Sequence, residues 1–233
     1  MNTLFSTLLR PAKTFNEIKT AGKFPTTSLI IVLFLMLLNL ILMVPIMEKI
    51  TSLTFSTMNI PENQRETISQ VAYKMRYLQA FGSFIMYALT IFFYALLLYA
   101  IGALAKAKLK YKEALTLITL STFVIVLGDL INTGILYIRS LDAITNPYEI
   151  VSTGINMLTS VDQVGPTLYT FLGYINPFQI AFIILLSVGL KMFTDIKYAK
   201  AFSIAFLLWI ITILIPTMSV YFSQLTLAKS GIL

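Results

Sequence analysis

An all-α bundle of five membrane-crossing helices is the fold this sequence predicts, a polytopic membrane protein with amphipathic interfacial helices on its outer side. Three observations predict it. Five stretches, at about 25–47, 78–104, 114–138, 167–190 and 201–222, are long and almost free of charge. Each reaches the roughly 20 apolar residues a helix needs to cross a hydrocarbon core of about 30 Å. The chain is 58% hydrophobic and only 12% charged over 233 residues, where a soluble domain carries about 25% charged residues. Finally, lipid offers the backbone no hydrogen-bond partners, so such stretches must be helical.

Residues 1–24 read as a cytoplasmic interfacial arm, and residues 25–233 as a single five-span membrane domain. Leu4, Phe5, Leu8 and Leu9 fall on one face of a short helix that Pro11 ends. Thr14-Phe15-Asn16-Glu17 fits a capping box, with Thr14 as N-cap and Glu17 reaching back. Phe15 and Ile18 are then expected to dip into the bilayer while Lys19 and Lys23 stay in water. The first span is too long for a signal-peptide core and reads as a retained anchor.

After span one, Asn59-Ile60-Pro61-Glu62 carries the signature of a helix start. Ile68, Val71, Ala72, Met75 and Leu78 follow at helical spacing, so this helix is expected to run straight into span two. It would be roughly 65 Å long, about twice the hydrocarbon thickness, and Gly82-Ser83 is the predicted bend. In the second outer connection Asn146-Pro147-Tyr148-Glu149 starts a short surface helix. Its apolar side holds Ile150, Val151, Ile155 and Leu158, and Gly165-Pro166 closes it. Pro177 in span four and Pro216 in span five are expected to kink their helices, and Trp209 reads as packing.

Charge sets the orientation. Arg10, Lys13, Lys19, Lys23, Lys106, Lys108, Lys110, Lys112, Lys191, Lys197 and Lys200 fall on one side of the predicted membrane. The other side has fewer basic residues, and Glu48, Glu62, Glu66, Asp142, Glu149 and Asp162 offset them. The positive-inside rule places the N-terminus in the cytoplasm and the C-terminus outside, in a multi-pass protein of the cytoplasmic (inner) membrane. The net charge of +7 is thus a topology determinant and a match for anionic lipid heads, with no nucleic-acid partner implied. The run Lys106, Lys108, Lys110 and Lys112 reads as a lipid-facing basic turn that could also receive an acidic partner.

Cysteine and histidine are both absent. The chain therefore has no thiol nucleophile, no imidazole base and no Cys/His metal site, and no cofactor, metal or enzymatic activity is expected. There is no Gly-rich phosphate-binding loop either.

Asp129 is the one ionisable residue well inside a span, where a functional role is the first hypothesis. Counting residues along each span puts Asn39, Asp129 and Asn176 at one depth, roughly 4–5 Å outside the midplane. Asn132 lies one turn from Asp129, and Tyr87 and Thr90 are within reach. A shared polar cluster has two readings. It fastens the bundle by hydrogen bonds, with a protonated Asp129 as donor, or it forms a proton or cation site. Broken helices build transporter sites at the midplane, but no inverted repeat accompanies this one.

Three stretches resemble the prokaryotic branch of the Yip-domain family, the Rab-interacting-type integral membrane proteins. Ile183-Ile184-Leu185-Leu186-Ser187-Val188-Gly189-Leu190-Lys191, leading to Lys197-Tyr198-Ala199-Lys200-Ala201, is similar to the family's closing half. Leu9-Arg10-Pro11-Ala12-Lys13-Thr14-Phe15 is similar to its opening, and Gly102 through Thr116 to its turn between spans two and three. Span three lacks the proline that many members carry. The resemblance implies five spans, a cytoplasmic N-terminus and no enzymatic activity. It also implies a role as partner or assembly protein of another membrane complex, with ABC-type exporters as the bacterial association. Rab binding does not carry over, since the long N-terminal region of those relatives has no counterpart here.

The expected function is therefore a non-catalytic membrane accessory or scaffold protein that binds, assembles or regulates another membrane complex. Its partner surfaces would be the outer connections and the N-terminal arm. The alternative is a small transporter or channel built around Asp129, Asn39 and Asn176. Sequence alone assigns neither the partner nor the oligomeric state.

Overall fold

Residues 2–57, 62–138 and 153–229 are described by the structure, a computed structural model, and no strand occurs among them. The helices are α1 (Asn2–Leu9), α2 (Pro11–Ala21), α3 (Thr26–Thr57), α4 (Glu62–Leu104) and α5 (Tyr111–Ile138). After a 3₁₀ turn (Ile155–Leu158) come α6 (Val161–Gly173), α7 (Pro177–Phe193) and α8 (Tyr198–Lys229). Five segments are long and apolar enough to cross a membrane: Thr26–Leu53, Lys74–Leu104, Tyr111–Ile138, Val161–Phe193 and Tyr198–Thr226. The all-α polytopic fold stands.

Two compact units share the chain. The first takes Met1–Met36, Met86–Gly128 and Pro177–Ile213; the second takes Leu37–Ile85, Asp129–Asn176 and Leu214–Leu233.

In the first unit α2 lies on α7. Pro11 ends α1 and becomes the first residue of α2, where its missing N–H is no loss. Gly22 closes α2 with φ 64°, a left-handed conformation that glycine adopts without strain, and its N–H reaches Ile18 O and Lys19 O. Phe15 is fully buried, with its ring edge-on to Phe193 at 6.3 Å. This corrects the expectation that Phe15 faces lipid: α7 supplies the apolar surface first. The Thr14 capping box is corrected too. Thr14 lies in the second turn, beyond the cap position, and its hydroxyl meets Ser6 Oγ at 2.7 Å and Arg10 O at 3.1 Å. Phe5 meets Phe123 of α5 edge-on at 5.7 Å.

Small side chains let these helices approach one another, as apolar solvent requires where no hydrophobic force drives helices together. Ala114, Thr116, Thr119 and Ser121 of α5, Ser187 and Gly189 of α7, and Ala201 and Ala205 of α8 are all buried. Gly128 admits the Phe178 ring so closely that a Cβ there would stand 2.5 Å from it. Trp209 is buried beside Phe206, with ring centroids 5.4 Å apart, as a packing residue.

In the second unit α3 and α5 form a seam. Ile46, Ile50 and Leu136 make its apolar centre, with Met43 and Leu53 against it. Positions 39, 43, 46 and 50 recur at the three-to-four-residue spacing of one helix face. Thr167 of α6 donates to Gln224 Oε1 of α8 at 2.9 Å.

Several boundaries differ from expectation. The Asn59-Ile60-Pro61 signal and the Asn146–Val151 stretch lie outside the described residues; α4 begins at Glu62 and continues through Gly82 as one helix. The described end of the second outer connection is a single 3₁₀ turn in which Asn156 is buried while Ile155 and Leu158 are exposed. Gly165-Pro166 does not close a surface helix. It falls inside α6 as a kink, Gly165 having φ 75°, because a reciprocal Ser160–Gln163 capping box starts that helix earlier. The span expected at 167–190 is divided: α6 stops at Gly173 and Pro177 opens α7. Pro216 stands within α8, and α3 contains Pro45.

Candidate functional site

Polar groups inside apolar helices are the places to look for function, since lipid tolerates them only with partners. Four of them, Asn39, Asp129, Asn132 and Asn176, belong to the second unit. The structure gives them different settings. Asn39 Oδ1 accepts from Thr133 Oγ1 at 2.8 Å, joining α3 to α5. One turn on, Tyr137 Oη donates to the main-chain carbonyl of Leu42 at 2.6 Å. Along α3 these two bonds and the Ile46–Leu136 contact follow one another a turn apart, at Asn39, Leu42 and Ile46.

Asn176 acts locally. Its Nδ2 donates to Gly173 O at 2.9 Å, satisfying a carbonyl that the end of α6 leaves open. The start of the 3₁₀ turn lies on this break: Ile155 N–H donates to Ile175 O at 3.1 Å. Gly154 comes so close to the Gly173 backbone that a Cβ would stand 2.5 Å from its oxygen.

Asp129 and Asn132 remain. Asn132 is half-buried, and its Oδ1 is buried with no hydrogen-bond partner among the described residues. Asp129 is exposed on α5, and among the described residues no hydrogen bond joins it to Asn39, Asn132 or Asn176. Thr90 returns its hydroxyl to Met86 O of its own helix at 2.8 Å.

One charged pair of the second unit escaped the sequence reading. Arg76 Nη1 of α4 donates to Glu48 Oε1 of α3, and the same guanidinium stands 4.7 Å over the Tyr77 ring. Both residues flank predicted span ends on one side of the membrane. Opposite charges at equal depth on consecutive helices were the signal.

The basic turn belongs to the first unit. Ala107 and Leu109 are buried while Lys106, Lys108 and Lys110 are exposed, so the alternation in the sequence is an alternation in space. Glu113 Oε2 accepts the Lys110 main-chain N–H at 2.8 Å and starts α5. Lys112 Nζ donates to Gly22 O at 3.0 Å, and Lys19 Nζ to Met192 O at 2.8 Å. The stretches at 9–15, 102–116 and 183–201 thus meet in one unit.

The family model of the Yip1 domain matches residues 5–219. No curated protein and no solved structure matches the chain.

Proposed function

This chain belongs to the Yip1 domain family, and from that premise we propose that this multi-pass membrane protein is a non-catalytic accessory protein that binds and assembles or regulates another membrane complex. An ABC-type exporter is the complex to which the resemblance of its opening and closing stretches points. The orientation that goes with this reading has the N-terminus in the cytoplasm, in line with the lysine distribution.

The observation that carries the proposal is Asp129. In α5, 67% of the most apolar stretch is buried, against 11% in the first span, yet this most enclosed helix bears an exposed carboxylate with no hydrogen-bond partner among the described residues. An ionisable group in a span needs a partner, and a polar or basic group on a neighbouring membrane protein meets that need. The largely uncovered apolar lengths of α3 and α4 offer further surface for such a neighbour.

The same residue supports the alternative, a small transporter or channel in which water reaches Asp129. The chain contains no cysteine, so Asp129→Cys introduces a unique thiol. Under the accessory reading this thiol, carrying a photoactivatable thiol-reactive crosslinker, is joined on illumination to one stoichiometric partner in native membranes, and the unloaded thiol resists a charged, water-soluble maleimide. Rapid maleimide labelling with no crosslinked partner overturns that reading in favour of transport.

A further inference from the structure

Three connections of the first unit are tied together by lysines that use helix ends as acceptors. Lys19 Nζ holds Met192 O near the end of α7, and Lys112 Nζ holds Gly22 O past the end of α2. Helix C-termini carry partial negative charge and open carbonyls, so these ammonium groups are already engaged. Among the described residues, the lysines of the α4–α5 connection, Lys197 and, in the first turn of α8, Lys200 have no such acceptor. Lys106, Lys108, Lys110, Lys197 and Lys200 are exposed.

Their arrangement is fixed from beneath. Ala107 and Leu109 turn inward, 5% and 6% exposed, and Leu109 lies against Gly102, where a Cβ would stand 3.6 Å from its side chain. Lys106 takes φ 54°, which sets the direction of the turn. The three lysines between and beside these anchors therefore point out together, without a large ordering cost when they meet a ligand. The local acids offset them only in part: Glu113 is used at the start of α5, Glu17 faces Lys13 at 3.9 Å, and the exposed Asp195, two residues before Lys197, leaves the row at 106–110 in excess.

Position selects the ligand. Lys106 stands two residues past Leu104, Lys110 one before Tyr111, and Lys197 one before Tyr198. Leu104 is 86% exposed, and Tyr111 and Tyr198 are exposed as well, which is the apolar and aromatic border of a bilayer. The headgroup layer is about 5–8 Å deep on each side of the hydrocarbon, so lysines this close to the helix ends lie within it. The nearest anions there are lipid phosphates, and an acidic protein would have to displace them.

We propose that the row Lys106, Lys108 and Lys110, supported by Lys197 and Lys200, is a preorganised binding surface for anionic phospholipid headgroups. This holds whether or not the accessory reading of Asp129 does.

The test uses the full chain purified into nanodiscs or mixed micelles holding equal amounts of phosphatidylcholine and phosphatidylglycerol, with retained lipids identified by native mass spectrometry. The unmodified chain is expected to retain phosphatidylglycerol several-fold over phosphatidylcholine. The lysine charges carry that preference together, so K106Q/K108Q/K110Q should bring it to parity, while K106R/K108R/K110R keeps it. Retention of the two lipids in equal amounts by the unmodified chain overturns the proposal, and that measurement needs no variant to fold. A triple Gln variant that keeps its phosphatidylglycerol preference but loses a co-purified acidic protein overturns it in favour of a protein surface.

Discussion

The ring of Phe15 lies against Gly189: a Cβ at position 189 would stand 3.1 Å from Phe15 Cζ and 2.4 Å from Leu117 Cδ2. The absence of a side chain on α7 is what lets α2 and α5 approach it from two directions. Gly189→Val should overpack this site by about 1–3 kcal/mol and lift the arm. Limited trypsin digestion checks it, since cleavage after Lys13 and Lys19 should quicken while the spans stay protected.

Phe15→Ala removes a fully buried ring, a change of about 3–5 kcal/mol in a packed core. Glu17→Ala should change stability by less than about 0.5 kcal/mol, because Glu17 is exposed and forms no cap. Hydrogen exchange of the α2 amides separates the two: fast in the first variant, unchanged in the second. Equal effects would mean that the arm is held by its local helix signals and not by α7.

The Asn39–Thr133 bond joins two helices within an apolar setting. Side-chain hydrogen bonds between membrane helices are worth about 0.6 kcal/mol on average and about 1.7 at most. A double-mutant cycle of Asn39→Leu and Thr133→Val, followed by reversible unfolding in mixed micelles, should return a coupling in that range. Asp129→Asn should not alter the coupling, as the two sites share no hydrogen bond among the described residues.

Gly154→Ala brings a methyl group against backbone, 2.5 Å from Gly173 O and 2.8 Å from Gly173 C. Backbone cannot rotate away as a side chain can, so about 1–3 kcal/mol of local stability should go. The amide of Ile155, which donates to Ile175 O at 3.1 Å, should then exchange faster, while amides in the middle of α5 keep their rate.

What could be read in the sequence was whatever depends on length and apolarity along the chain. The five crossings, the termination of α1 at Pro11 and the packing role of Trp209 follow from those quantities. The fate of Phe15 did not, because an apolar side chain near a membrane has two apolar destinations and composition does not rank them. Thr14-x-x-Glu17 has the letters of a capping box, but Pro11 starts the helix three residues earlier. Depth counting put Asn39, Asp129 and Asn176 on one level, yet a level is a plane and a hydrogen bond also needs azimuth. Asn39 faces Thr133, the neighbour of Asn132, and Asn176 turns back on the end of α6. Glu48 counts in the sequence only as one of the outer acids, and the α3–α4 geometry is what pairs it with Arg76.

The break at residues 174–176 bears on how the chain enters the bilayer during synthesis. At 1.5 Å per residue, α7 spans about 25 Å and α6 about 20 Å, so neither bridges a hydrocarbon core of about 30 Å alone. Together they form the least apolar of the five crossings. A translocon that admits segments by apolarity and length will hesitate at this one. Its insertion then falls to the helices made before it, with the seam of α3 and α5 already in lipid when α6 leaves the ribosome. Span four is a crossing completed by company, and truncations that remove the first spans should leave it on the side where it was made.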